Sequence, residues 1–424
     1  MNMNSDLQTK SCRILAIPVR TMWFWLFAAL LTFNLVVIGF DLYPRVERKL
    51  ARRNIGQIPA TAFPQQVRNA TLRLFIKKDQ PLLSDENRLR IIDYLMEPQD
   101  FIFRGGLLGN GLVNWCQTTN DPEAFAAIKH YADEMIDIHG HFYNPPDSVN
   151  DGAIGCSLVF LAGSTKEERY RKACDELASY FISYSARHSG LVPYIAHKDE
   201  ELMLIDTIGL MCPFLAQYSK MTGKPEALDL AIRQIDEFMA HSIDFKSGIP
   251  FHGYNRRCDD YLVGVVGWGR GLGWLVTGVG KVLTEIPSQD PRRERLVAYS
   301  QRIIKVAIQT QRPDGVWGNM ITVSSSLKDS SATAMITVFL IQCRRQEVVG
   351  PEIDANISRA VESLRRNTRK NGVLDFAQGD VIDLNRHSRN WGATMYGQGA
   401  LLSALVELAN LKLKQPPPIQ PQIQ

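Results

Sequence analysis

Cysteine is sparse in this chain and does not come in pairs. Seven cysteines are scattered over 424 residues with no C-x-x-C spacing, which argues against a zinc site. Their odd number argues against a complete disulfide framework. Cys156, Cys174, Cys212 and Cys343 fall on apolar helical patterns, where cysteine acts as a small core residue. A charge excess is also missing from most of the chain. Residues 1–53 hold eight Lys/Arg against three Asp/Glu, and the remainder holds 40 against 41. A body this close to neutral lacks the basic stripe that binds nucleic acid, so no nucleic-acid partner is expected. Strand-like alternation is scarce and confined to linkers such as Gly190–Ala196. No strict repeat recurs, such as the roughly 34-residue period of a tetratricopeptide array.

One long apolar run is present. Met22–Phe40 is interrupted mainly by Thr32 and Asn34, and its length falls within the roughly 17–25 residues that cross a bilayer. Trp23, Trp25 and Tyr43 stand near its ends, as interfacial aromatics do. Gly39-Phe40-Asp41-Leu42-Tyr43 offers no small-residue cleavage site, and Ala60-x-Ala62 lies too far downstream. The expectation is an uncleaved transmembrane signal anchor over residues 22–40. A short tail over 1–21 precedes it, and a linker over 41–83 follows. Arg45, Arg48, Lys49, Arg52 and Arg53 after the run outnumber Lys10, Arg13 and Arg20 before it, which by charge bias would keep the body inside. A short tail ahead of a large body favours export instead. The body is therefore expected on the exported side, periplasmic or extracellular.

From residue 84 to residue 412 apolar positions recur at helical spacing. The candidate helices begin at 84–97 and end at 392–412, and include 104–117, 150–163, 201–221, 268–285 and 329–346. Starts are marked by Asn120-Asp121-Pro122-Glu123 and by Gly223-Lys224-Pro225-Glu226, with proline at or near a first helical position. Twelve such helices make six hairpins. No hairpin can bury its own apolar face, so the six must share a core. The expected fold is all-α, an (α/α)6 toroid over 84–412, with an open helical solenoid as the alternative. Residues 413–424, rich in Pro and Gln, read as an extended tail.

The densest chemistry lies in Val265-Val266-Gly267-Trp268-Gly269-Arg270-Gly271-Leu272-Gly273-Trp274. Glycine costs roughly 1 kcal/mol against alanine inside a helix, so this cluster marks a place where backbone approaches something closely. Indole faces suit a sugar ring, and a guanidinium forks onto a carboxylate, so Trp268, Trp274 and Arg270 suit a sugar acid. A tight helix–helix contact explains the glycines equally well. Asp206 lies between Leu202-Met203-Leu204-Ile205 and Thr207-Ile208-Gly209-Leu210. A poorly solvated carboxyl keeps its proton more readily, as a general acid needs; a helix N-cap is the competing reading. Asp151 stands at another helix start and reads first as a cap. His252 occupies a turn-rich loop, Ser247–Tyr254. All three belong to helix entrances or the loops before them, on what would be one rim of a toroid.

These segments resemble the unsaturated glucuronyl and rhamnogalacturonyl hydrolases, glycoside hydrolase families 88 and 105, over residues 103–412. Trp268-Gly269-Arg270-Gly271-Leu272-Gly273-Trp274 is similar to that family's W-x-R-G-x-G-W pattern. Leu204–Thr207 with Cys212–Ala216, Phe251-His252-Gly253, Asp314–Trp317 with Asp329–Met335, and Tyr396–Gly399 resemble its other blocks, in the same order. Leu272 departs from the asparagine usual there. The resemblance implies hydration of the C4=C5 vinyl ether of an unsaturated uronic acid at the end of an oligosaccharide or polysaccharide. It implies Asp206 as acid/base, Asp151 as a second carboxylate, and substrate contacts from His252, Trp268, Arg270 and Trp274. No metal and no organic cofactor is implied. A conventional inverting glycosidase on the same fold, with Asp206 and Asp151 as acid and base, and an inactive membrane-anchored glycan-binding protein are the rival classes.

Overall fold

The computed structural model describes residues 19–77, 101–197 and 200–414. The helix expected at 84–97 and the tail beyond Lys414 lie outside the described residues. The chain divides into two units, Met1–Leu50 with Asn87–Met96, and Ala51–Glu86 with Glu97–Gln424.

The described part of the first unit is helix α1, Val19–Ala51, of 33 residues, whose last residue begins the second unit. Its described apolar side chains are open, with Trp23, Phe27, Leu30 and Phe33 each more than 60% exposed. Among the described residues no helix is long and apolar enough to cross a membrane. The side chains of Met22 and Phe40, the two ends of the expected span, lie outside the described set.

The second unit alternates inner and outer helices. The inner ones are α3 (Phe101–Thr119), α5 (Gly152–Thr165), α7 (Ile205–Thr222), α9 (Gly269–Glu285), α11 (Ser330–Arg345) and α13 (Met395–Lys414). The outer ones are α2 (Phe63–Lys77), α4 (Pro122–Asp133), α6 (Glu168–Ala186), α8 (Pro225–His241), α10 (Arg292–Thr310) and α12 (Asp354–Arg366). Each inner helix packs on the next, and α13 packs back on α3, so the ring closes. This is an (α/α)6 toroid. Outer helices are amphipathic and bury one face: on α8 that face is Ala227, Leu230, Ala231, Ile235 and Phe238. Inner helices bury nearly every residue of their central turns, as Thr207–Ala216 of α7 does.

Glycine sets how close the inner helices come. A methyl group on Gly106 of α3 would stand 2.6 Å from the Ala153 carbonyl oxygen of α5. On Gly152 of α5 it would stand 2.7 Å from the Leu210 carbonyl oxygen of α7, and on Gly209 of α7, 2.8 Å from that of Trp274 in α9. On Gly111 of α3 it would stand 2.6 Å from the Gly399 carbonyl oxygen of α13, where the ring shuts. Backbone packs on backbone at these points, and no side chain fits between.

Two boundaries differ from expectation. Residues 63–77, expected as linker, are helix α2, which buries Phe63, Val67, Ala70, Leu72 and Phe75 in the core. The body accordingly starts well before residue 84. Arg52 already belongs to it, through an ion pair with buried Asp375 at 2.7 Å. Glu201–Leu204, expected as the start of a helix, is instead a strand. It belongs to an antiparallel sheet of β1 (Ile195–Ala196), β2 (Glu201–Leu204), β3 (Gly253–Asn255) and β4 (Tyr261–Val263), in that order. A short apolar run cannot be assigned to strand or helix by periodicity alone; here pairing with β3 decides. The six described cysteines are free, and all but Cys258 are buried, as small core residues should be.

Gly111→Val should destabilise the body by at least about 1–3 kcal/mol, because overpacking against a fixed backbone cannot relax. Gly163→Ala, where nothing lies within 4 Å of the added carbon, should be neutral or stabilising by up to about 1 kcal/mol. Thermal unfolding of the two variants checks this, and equal behaviour would remove glycine packing as the reason for ring closure.

Candidate active site

Successive helices in the ring are joined by hairpins, so the six inner helices share one direction and their N-termini share one rim. The small sheet sits on that rim and sets the first pair of functional groups. Leu204 of β2 pairs with Gly253 of β3, and the Ile205 amide donates to the His252 carbonyl at 2.9 Å. Asp206, one residue into α7, therefore faces His252, one residue before β3. His252 Nε2 lies 3.1 Å from Asp206 Oδ2. His252 is 3% exposed, while the Asp206 side chain keeps 17%. The N-cap of α7 is Leu204, and the Asp206 carboxylate bonds to an imidazole rather than to an amide of its own turn. The capping alternative for Asp206 does not hold.

Asp151 makes no side-chain cap bond to α5 but is the acidic member of a capping box whose N-cap is Ser148. Its Oδ2 accepts from the Asp147 amide at 3.0 Å and the Ser148 amide at 2.9 Å, closing a capping box on the short 3-10 helix 149–151. Burial is the largest influence on its carboxyl and raises its pKa above the usual range, against those two amides and with help from the Asp147 charge. The close approach of Gly152 to α7 sets Asp151 at the entrance of α5, beside the helix that carries Asp206.

Trp268 is the N-cap residue of α9 and is 2% exposed. Its ring lies 4.8 Å from that of His252 and 4.8 Å from that of His387. Arg270, also 2% exposed, lies between two aromatic faces, 5.0 Å from Trp268 and 4.9 Å from Tyr396. Its guanidinium donates to the Gln378 carbonyl at 2.6 Å and the Gly379 carbonyl at 2.8 Å. Burial opposes its charge, but Tyr396 and the carboxylates of Asp329, Asp380 and Asp206 hold its pKa above the ordinary arginine value.

The Arg270 fork, expected on a substrate carboxylate, holds backbone of this chain in this structure. The two tryptophans expected to stack on substrate are both buried. Trp274 is 3% exposed, packs beside Phe103 and Tyr396, and lines a cavity of about 100 Å³ on the barrel axis together with Asn110, Gln217 and Gln342. Neither indole presents a free face on the rim. Leu272 is 1% exposed and belongs to the core. The structure thus brings Asp206, His252, Trp268 and Arg270 into one cluster and leaves Trp274 below it.

The loop that Arg270 holds escaped sequence reading. It comprises β5 (Ala377–Gln378), β6 (Val381–Asp383), β7 (Arg386–His387) and β8 (Trp391–Gly392), with β5 paired to β8 and β6 to β7. Gln378 is its anchor. Its carbonyl accepts from Arg270 and from the Tyr396 hydroxyl at 2.9 Å, and its side chain donates to the Ser388 carbonyl at 3.0 Å. Asp329, fully buried at the N-cap of α11, accepts from the Gln378 amide at 3.3 Å. Arg104 pairs with Asp380 at 2.7 Å. This loop carries His387 against His252 and Trp268. Burial, then the nearby His252 and Arg270, lowers the His387 pKa to about 4. Strands of two or three residues have no readable period, so nothing in the sequence places His387 at the site.

A barrel rim bearing two aspartate side chains and an imidazole suits acid–base work on a sugar. The profile of Glycosyl Hydrolase Family 88 matches residues 79–412. The chain belongs to that family. This family 88 hydrolase is similar to the unsaturated rhamnogalacturonyl hydrolase YesR of Bacillus subtilis, at 21% identity over 347 residues, 78% of this chain and 98% of the relative. Its fold superposes on a possible GH105 member from Klebsiella pneumoniae with a TM-score of 0.69 at 20% identity, over 84% of this chain and 94% of that one. An unsaturated glucuronyl hydrolase specific for heparin superposes with a TM-score of 0.66 at 17% identity, over 84% and 99%. At these identities the superpositions speak to the fold.

Arg270→Lys should loosen the 377–391 loop, because an ammonium cannot span two carbonyls as the planar guanidinium does. Losing charge-assisted bonds at a buried site should cost about 1.5–3 kcal/mol and reduce turnover. Protease sensitivity within 377–391, rather than a change in substrate affinity alone, checks this; an unaltered loop would return Arg270 to a substrate role.

Proposed function

We propose that this family 88 hydrolase hydrates the C4=C5 vinyl ether of an unsaturated uronic acid at the non-reducing end of an oligosaccharide. The observation that carries the reading is the Asp206–His252 pair, 3.1 Å apart, with only the carboxylate side reaching the rim. In the proposed cycle the Asp206 carboxyl gives its proton to C4. Positive charge develops at C5 and the ring oxygen. Water adds to C5 and returns a proton to the Asp206 carboxylate. The resulting C5 hemiketal opens by breaking its C5–O5 bond, which leaves a ketone at C5 and a hydroxyl on C1. That C1 hemiacetal collapses to an aldehyde: its hydroxyl proton passes to the glycosidic oxygen as the C1–O bond breaks, and the shortened saccharide leaves. His252 fixes the carboxylate by its hydrogen bond. Asp151, held by two amides and disposed by burial to keep a proton, positions the water or a sugar hydroxyl. The names of the relatives, one an unsaturated rhamnogalacturonyl hydrolase and one a glucuronyl hydrolase specific for heparin, support the class of substrate.

Asp206→Asn keeps shape and hydrogen bonding but cannot cycle a proton. Turnover should fall by about 10²–10⁴-fold, the usual worth of general acid–base catalysis, while binding persists. Loss of the ultraviolet absorbance of the conjugated alkene measures this, with saturated oligosaccharides as controls. Near-normal turnover by the variant, or equal hydrolysis of the saturated sugars, would overturn the reading.

We propose further that residues 22–40 hold the protein in a membrane with the hydrolase on the exported side, where it trims polysaccharide. The support is the apolar run itself and the open faces of Trp23, Phe27, Leu30 and Phe33 on α1, since soluble proteins rarely leave so much contiguous apolar surface in water. Removal of residues 1–50, which spares Arg52 and its partner Asp375, should give a folded body no longer recovered with membranes. A full-length protein that fractionates as soluble would end the anchor proposal, and a C-terminal reporter active only in the cytoplasm would reverse the orientation.

A further inference from the structure

We propose that His387 is a substrate-contacting residue, hydrogen-bonded through Nε2 to a hydroxyl of the terminal sugar, and that Arg270 is the positioning residue that presents it. This inference rests on the reading of the rim as a sugar site and adds a residue to it.

Three observations carry the assignment. First, the His387 Nε2 atom is enclosed yet finds no hydrogen-bond partner among the described residues. Leaving a buried polar atom unpaired costs about 1–3 kcal/mol, so such an atom beside a reactive group asks for a ligand. Second, the ring is in the catalytic cluster. Its centroid lies 4.8 Å from that of Trp268 and 5.9 Å from that of His252, whose Nε2 bonds to Asp206. Third, its support is built rather than incidental. The strands β5 and β8 that carry the β6–β7 hairpin are fixed at Gln378 by the Arg270 guanidinium, the Tyr396 hydroxyl and Asp329. A buried cation is spent on holding this loop, which makes sense where the loop delivers a group that must be placed accurately.

The chemistry of the contact follows from the charge state. Near neutral pH His387 is uncharged, because burial, His252 and Arg270 all oppose its protonation. A neutral imidazole offers one donor and one acceptor, which suits a sugar hydroxyl better than a carboxylate. A ligand reaching Nε2 gains a bond without displacing an existing partner.

The test uses the full chain with Asp206→Asn as the parent, so that binding is measured without turnover. Unsaturated and saturated uronyl disaccharides are titrated into the parent, the parent with His387→Phe, and the parent with His387→Gln. Phenylalanine keeps a ring against Trp268 and His252 but has no nitrogen. The expected result is about tenfold weaker binding of the unsaturated disaccharide with Phe, equivalent to one hydrogen bond. Gln should restore part of that loss, and the melting temperature of the Phe variant should hold or rise, since it removes an unpaired buried atom. In otherwise wild-type protein, His387→Phe should raise KM more than it lowers kcat. Binding by the Phe variant equal to the parent overturns the proposal and leaves His387 a packing residue. If the parent binds saturated and unsaturated sugars alike, the vinyl-ether reading is what falls, and the Phe comparison still decides His387.

Discussion

Closure of the inner ring depends on backbone meeting backbone. Each of the six inner helices touches two neighbours at once, so an error in spacing at one contact is passed round to the others. Glycine at Gly106, Gly111, Gly152 and Gly209 removes the side chain where a helix must lie against a neighbour's carbonyl. The density of a protein interior leaves no slack to absorb a misfit. Glycine inside a helix costs roughly 1 kcal/mol relative to alanine, and the sequence bears that cost repeatedly in its inner helices. What it gains is a narrow ring whose N-termini converge on one rim. Asp206, Trp268 and Arg270 all stand at such N-termini, and their proximity is a consequence of the ring.

Arg270 shows how a charged group serves architecture. A buried, unpaired guanidinium would cost several kcal/mol. Here two carbonyls accept its hydrogen bonds, two aromatic faces cover it, and the field of nearby carboxylates favours its charge. What it holds is one loop, 377–391, whose strands are very short and which shares this anchor at Gln378 with Tyr396 and Asp329. The tryptophans share this division of labour. Trp268 is a spacer between the imidazoles and the guanidinium, and Trp274 closes the floor above an axial cavity.

The acid and its imidazole partner come from different kinds of element. Asp206 rides on a helix and His252 on the turn before a strand. Their contact is fixed by the antiparallel register of Leu204 with Gly253. A slip of one residue would turn every side chain of the strand to the other face and separate the pair. Gly253 permits the tight pairing, and the left-handed backbone of Gly264, with φ +75°, brings the chain back over His252 where a side chain would collide. A four-stranded sheet too small to define a domain thus sets the central distance of the site.

Much of this was legible in the chain itself. Helical periodicity located the helices from α3 to α13 to within a few residues, because each hides one face in a common core and that requirement is written at regular spacing. The repeated hairpins implied a toroid, and the segments around Asp206, His252 and Trp268–Trp274 pointed to a sugar acid. Helix α2 was missed because its apolar residues sit among polar ones in a stretch that reads as linker. Strand β2 was missed because four apolar residues fit either a strand or a helix. The partners of Arg270 were beyond reach: a guanidinium suits carboxylate and carbonyl equally, and only the folded chain places Gln378 and Gly379, more than a hundred residues on, within its grasp. The same holds for His387. Local sequence determines which segments coil and which residues carry chemistry, since those depend on neighbours in the chain; which donor meets which acceptor depends on contacts between distant segments, and the closed ring alone decided it.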